Sequence, residues 1–241
     1  MSDSTVPCAY TWASPTITNK RDIVTIQLGT EKNIRTYELH VEALRMRSGY
    51  FHKSLPASPN EQRSTVHLAL SVSKPFDIFA NWLYSGRLDT FTEFKCGYLH
   101  LCELYAFADS FGVPLLRNKI VDVFFNKLMR DAFSIPCDIM KYMEEKLRDS
   151  TLRNMMQDIM LNCGVKEEIA EWQVNLAKGF GVKSSAVGEQ GGVVPFGRSS
   201  DVRGYLGELK GKVCERYHEH LEGDETVVRH EDGWFFDPPL R

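Results

Sequence analysis

The chain has 241 residues, enough for one domain of roughly 110–150 residues with extensions, or for two small ones. Its hydrophobic fraction of 43% and charged fraction of 25% are those of an ordinary globular protein, and a net charge of −3 gives no electrostatic basis for tracking nucleic acid. No apolar run approaches the roughly 20 residues a bilayer demands, and the opening MSDSTVPCAYTWASPT has no apolar core of signal-peptide length, so a soluble protein of the cytoplasm or nucleus is expected.

Residues 1–20 are polar and broken by Pro7 and Pro15, which reads as a flexible lead-in. Val24, Ile26 and Leu28 then alternate with Ile23, Thr25 and Gln27, a two-residue period that predicts a strand. Gly29 to Asn33 supplies turn chemistry, and alternation resumes over 34–40 with Arg35, Tyr37 and Leu39 on one face, predicting a hairpin with a loop of about five residues. Segment 41–48 is compatible with a helix, and Ser48 is a good N-cap for a second short helix over 50–55. Val66, Leu68 and Leu70 mark a third strand.

Three longer helices follow. Pro75 suits the first turn of one whose stripe is Phe76, Phe79, Trp82 and Leu83, and which Gly86 stops. Residues 97–111 are apolar nearly all round, as a core helix is. Gly112 ends that helix and Pro114 opens the next, with Leu116, Ile120, Val123, Phe124 and Leu128 as its stripe. A small three-stranded sheet capped by a cluster of helices is an α+β arrangement.

From 136 to 177 the pattern stays helical and rich in methionine, from Ile139 to Met160, material suited to a core or to a partner surface. From 178 to 241 nine glycines precede Lys212, which reads as a flexible linker and a largely disordered tail, with 205–221 as one weak helix. The aromatics Trp234, Phe235 and Phe236 near the end suit either folding back or a linear motif.

Chemistry is sparse. Six cysteines stand at 8, 96, 102, 137, 163 and 214 with no CxxC spacing, which predicts reduced, mostly buried thiols. Cys214, His218 and His220 lack a fourth ligand, so neither a metal nor another cofactor is expected. Asp22, His40 and Ser48 could be sketched as a hydrolase triad, yet each has a structural task where it stands: before a strand, at a strand-to-helix junction, and at a helix cap. His67 and His100 read as hydrogen-bonded histidines in apolar surroundings, and the Glu144–Glu145 and Glu167–Glu168 pairs as solvating charges. No catalytic residue is expected.

The ordered set Asp22-Ile-Val-Thr, Tyr37-Glu-Leu-His40, the spacing of His40, Leu44 and Ser48, the pair Tyr50–Phe51, Trp82-Leu-Tyr84-Ser-Gly86, Leu104-Tyr-Ala-Phe-Ala-Asp109 and Val113-Pro-x-Leu-Arg-Asn118 resembles the BTB/POZ family over about 20–130. Within it, LYAFAD, PLLRNK and Ser150-Thr-Leu-Arg153 are similar to the short BTB-only proteins of filamentous fungi. The resemblance implies a BTB/POZ fold over 21–130, a helical extension over 131–177, and a non-catalytic protein-interaction function. The partners it implies are other proteins, through self-association or as an adaptor to a cullin-3-type ubiquitin ligase, with transcriptional regulation as the alternative. No nucleic acid or membrane is expected as partner.

Three departures bear on that choice. No N-terminal helix suited to a swapped dimer precedes Asp22, Val41 stands where the family commonly has a basic residue, and Leu55-Pro56-Ala57 does not supply the hydrophobic-x-Glu motif of many cullin adaptors. The expected contact surface is the loop around Phe91 and Phe94 with Tyr98 beside it, and the Met-rich segment as a further candidate.

Overall fold

A computed structural model of the chain describes residues 13–15, 17–30, 33–56, 65–69, 73–88, 97–130, 134–162, 193–195 and 200–219. Contacts divide the chain into two compact units, Ala9–Ile120 with Glu219–Arg241, and Met1–Cys8 with Val121–His218.

In the first unit, β1 (Ile23–Thr30) pairs antiparallel with β2 (Asn33–His40) and parallel with β3 (Thr65–Leu68), so the sheet order is β2-β1-β3. The pairing of Val24 with Leu39, Ile26 with Tyr37 and Leu28 with Arg35 puts these six side chains on one face, because directly opposed residues share a side of the sheet. Val24, Ile26 and Leu28 are fully buried there. The hairpin is tighter than the sequence predicts. Thr30 pairs with Asn33, which leaves a two-residue connection, since pairing continues through Gly29.

Helices α1 (Val41–Arg47) and α2 (Gly49–Ser54) connect β2 to the parallel strand β3, followed by α3 (Ser73–Ser85), α4 (Tyr98–Ser110) and α5 (Pro114–Arg130), within which the two units divide. A small three-stranded sheet with several helices makes the chain α+β.

The end of α4 is a Schellman turn. The Val113 N–H donates to the Ala108 carbonyl at 2.8 Å and the Gly112 N–H to the Asp109 carbonyl at 3.0 Å. Gly112 has φ of 58°, a conformation that glycine adopts without a Cβ penalty. Two carbonyls at this turn face the start of α2. Ser48 Oγ donates to the Phe111 carbonyl at 2.6 Å, the Tyr50 N–H to the same oxygen at 3.2 Å, and the Gly49 N–H to the Gly112 carbonyl at 2.9 Å. Ser48 Oγ also accepts from the Phe51 N–H at 3.3 Å, the N-cap bond its position predicts.

Aromatic packing continues from this joint. Phe107 stacks on Phe111 at 4.4 Å between centroids, Tyr50 meets Phe111 edge-on at 4.9 Å, and Phe51 lies parallel to Phe79 at 6.4 Å. Two further links hold α1. Arg45 donates to the His52 carbonyl at 2.8 Å and to that of Leu55, at the end of α2. The segment before β1 is tied down as well: Thr18 donates from N (2.8 Å) and Oγ1 to the Glu42 carboxylate, Arg47 donates to the Ala13 carbonyl, and Pro15 is buried. These contacts belong to 13–15 and 17–20, the described part of the segment expected as a flexible lead-in; the rest of 1–20 lies outside the described residues.

The second unit contains β4 (Ser134–Pro136) paired antiparallel with β5 (Val193–Pro195), and the helices α6 (Cys137–Lys146), α7 (Thr151–Asn162) and α8 (Ser200–Tyr217). Met140, Met143, Met155, Met156 and Met160 are all buried, so these side chains fill a core. Glu144 and Arg153 form a bidentate pair at 2.7 and 3.0 Å, largely shielded from solvent, which joins α6 to α7. This corrects the reading of Glu144 as a solvating charge; Glu145 is exposed, and Glu167–Glu168 lie outside the described residues. Ser150 Oγ caps α7 by accepting from the Arg153 N–H at 3.1 Å.

The weak helix expected over 205–221 is present as Ser200–Tyr217, so it begins five residues earlier, inside the glycine-rich stretch. Leu206, Leu209, Val213 and Tyr217 make a buried stripe, and the Tyr217 hydroxyl donates to Asp158 of α7 at 2.6 Å. Burial and that carboxylate together push the Tyr217 hydroxyl well above the usual tyrosine range. Trp234, Phe235 and Phe236 lie outside the described residues.

Ser48→Ala removes the cap of α2 and one donor from the Phe111 carbonyl, and should cost about 2 kcal/mol in urea unfolding. Ser54→Ala, at an exposed hydroxyl of the same helix, should stay within roughly 0.5 kcal/mol of wild type.

Candidate interaction surface

Asp22, His40 and Ser48 each bond to the partners of a structural junction. Ser48 is buried, its hydroxyl proton is directed at the Phe111 carbonyl, and its oxygen accepts the Phe51 amide. His40 Nδ1 lies 3.0 Å from the Tyr84 hydroxyl, whose oxygen also accepts the His40 N–H at 3.0 Å. Asp22 contributes its backbone: its carbonyl accepts the Val41 N–H at 3.0 Å, and its N–H donates to the Asn19 carbonyl at 3.2 Å. Each residue therefore fixes a junction: Asp22 and His40 the step from sheet to α1, Ser48 the step from α1 to α2.

Leu44, Phe51 and Trp82 are core residues of the same unit. Tyr50 is half-buried against Phe111, and burial raises its hydroxyl above the usual tyrosine range, as it does that of Tyr84. Gly86 follows α3 with φ of 65°, and its N–H donates to the Trp82 carbonyl at 2.8 Å, which closes that helix.

The contact residues read from the sequence fall differently. Phe91 and Phe94 lie outside the described residues. Tyr98 is only 6% exposed, part of the buried face of α4, whereas its neighbour Leu99 is 36% exposed and His100 is exposed. One residue is 100° of helix rotation, enough to move a side chain from outside to inside. Outward apolar side chains that the sequence reading missed are Ile34 on β2 (46% exposed) and Met46 on α1 (46% exposed). Met46 could have been found by noting that Ala43, Leu44 and Val41 already fill the inward face of α1.

Histidines 67 and 100 are both exposed, which corrects their placement in apolar surroundings. His218 Nε2 lies 2.9 Å from Asp122 Oδ1, and its N–H donates to the Cys214 carbonyl at 3.2 Å. Among the described residues no group of three or more His, Cys, Asp and Glu side chains is placed to hold a metal ion, and His220 is not among them. Cys102 is fully buried, and burial first, then the Glu103 charge, raises its thiol far above the ordinary value; Cys214 is partly exposed. Among the described residues no helix is long and apolar enough to cross a membrane.

No protein-family model matches the chain, and no curated protein is significantly similar to it.

Because the thiolate is the reactive form, Cys102 should resist iodoacetamide in the native chain at pH 8 and be alkylated only on unfolding. Peptide mass spectrometry with and without denaturant checks this, with Cys214 as the more accessible internal comparison.

Proposed function

We propose that residues 21–130 form a BTB/POZ-type interaction module that binds other proteins and performs no catalysis. It acts as an adaptor or a self-associating scaffold, and a cullin-3-type ubiquitin ligase is the class of partner the resemblance implies. The observation that carries the reading is the joint placement of the family-like residues. His40, Leu44, Ser48, Phe51, Trp82 and Tyr84 hold the sheet, α1, α2 and α3 of one unit together. That leaves outward side chains such as Met46 and Leu99, with Phe91 and Phe94 in the adjoining sequence, as the contact material.

The test combines light scattering on the purified chain with proximity labelling by the intact chain in cells. Leu99→Asp, and the pair Phe91→Ala with Phe94→Ala, should lower the self-associated mass or delete specific labelled proteins at least ten-fold. Leu99→Asp should leave the melting temperature unchanged within about 2 °C, as a surface substitution does. An unchanged mass together with an unchanged set of labelled proteins rules out this surface. Turnover of any substrate that His40→Ala abolishes without unfolding the chain would replace the reading with an enzyme, and robust DNA binding by the purified chain would favour a transcriptional regulator.

A further inference from the structure

Asn118, in the first turns of α5, is a buried polar side chain at 4% exposure, and a single distant residue satisfies it. Its Nδ2 donates to the Glu219 carbonyl at 3.0 Å, and its Oδ1 accepts the Glu219 N–H at 2.9 Å. Glu219 therefore presents its N–H and C=O to one side, as a strand residue does toward its hydrogen-bonded pair. Both bonds are to backbone, so they read a peptide and not a particular side chain. Side-chain selection comes from Arg117, whose terminal nitrogens pair with the carboxylates of Asp109 and Glu219.

We infer that Asp109, Arg117 and Asn118 form a docking notch for an acidic residue of a peptide, filled in cis by the chain's own Glu219 and exchangeable with an acidic peptide supplied in trans. Two features make the cis occupant replaceable. Arg117 Nε is buried with no hydrogen-bond partner among the described residues, so Glu219 leaves one donor of the notch unmet. Arg117 also divides its charge between two carboxylates, and burial outweighs its attraction, so that the Glu219 carboxyl is raised above its usual range. The ionised occupant is thus held against its desolvation rather than locked by it. Emptying the notch leaves the Asn118 amide without either partner inside the protein, which favours refilling over standing open.

The contact is independent of the reading proposed above for residues 21–130. Glu219→Pro removes both the N–H that Asn118 accepts and the carboxylate that Arg117 pairs with. It does so just past α8, where proline is tolerated after a helix end. The full-length chain carrying it should bind a fluorescent peptide with the sequence of residues 217–223 at least ten-fold more tightly than wild type, whose notch is occupied. Adding Arg117→Gln should abolish that gain. In the wild-type chain the Glu219 amide should exchange with solvent slowly, and at least ten-fold faster with Arg117→Gln. Equal peptide binding by wild type and Glu219→Pro, binding by neither at millimolar peptide, or rapid Glu219 exchange in wild type would each overturn the inference. Should the proline variant fail to fold, Glu219→Ala, which keeps the backbone and removes the carboxylate, takes its place in the same peptide titration: tighter binding than wild type is expected, and equal binding overturns the inference.

Discussion

One joint organises the first unit: the start of α2 set against the end of α4. A helix N-terminus offers free N–H groups and a helix C-terminus free carbonyls, and here each supplies what the other lacks. The Gly49 and Tyr50 amides and the Ser48 hydroxyl meet the carbonyls of Phe111 and Gly112, two residues beyond α4. The same contact sets opposite ends of two helix dipoles together, which is the favourable arrangement. Because Gly112 sits in the left-handed region, a side chain there would strain the turn that presents both carbonyls. The aromatic stack of Phe51, Phe79, Phe107 and Phe111 closes over the joint, so polar and apolar contacts fix one register between α2, α3 and α4.

Such a joint explains which parts of the fold could be read from the sequence. The alternation of Val24, Ile26 and Leu28 survives folding because the period of a strand directly sets which side chains face inward. The cap at Ser48 was legible for the same reason, since a cap is a local event between a hydroxyl and amides two or three residues on. Its second bond, to a carbonyl 63 positions away, leaves no local trace. The burial of Tyr98 in place of Leu99 was equally hidden. Helix α4 is apolar nearly all round, so its composition does not say which residue of the first turn faces out.

Helix α8 is read from the sequence only as a weak helix over 205–221, and its first turn is missed. Glycine at 204, 207 and 211 lowers helix propensity by about 1 kcal/mol each relative to alanine, which argues for a linker. What the composition conceals is spacing. Leu206, Leu209, Val213 and Tyr217 recur at three and four residues and bury one stripe, with the glycines at 204, 207 and 211 on exposed positions. Tertiary burial overrides local propensity here, and the hydrogen bond from Tyr217 to Asp158 adds an anchor to α7 that no scan of the helix alone could supply. The charge pair Glu144–Arg153 belongs to the same class, a link between two helices that looks like ordinary surface charge until both are placed.

The placement of the arginines bears on how a contact surface would be built. Arg45 and Arg47 stand two residues apart on α1, yet both guanidinium groups donate to carbonyls of the chain itself. Arg117 and Arg153 are likewise committed to carboxylates. Charge-assisted bonds of this kind are directional, so they serve to position helices, whereas apolar contact is tolerant of angle and scales with area. If outward apolar side chains such as Met46 or Leu99 meet a partner, as proposed above, they would contribute affinity mainly by excluding water. Selectivity would then come from shape and from polar neighbours, such as the exposed His100 one residue from Leu99.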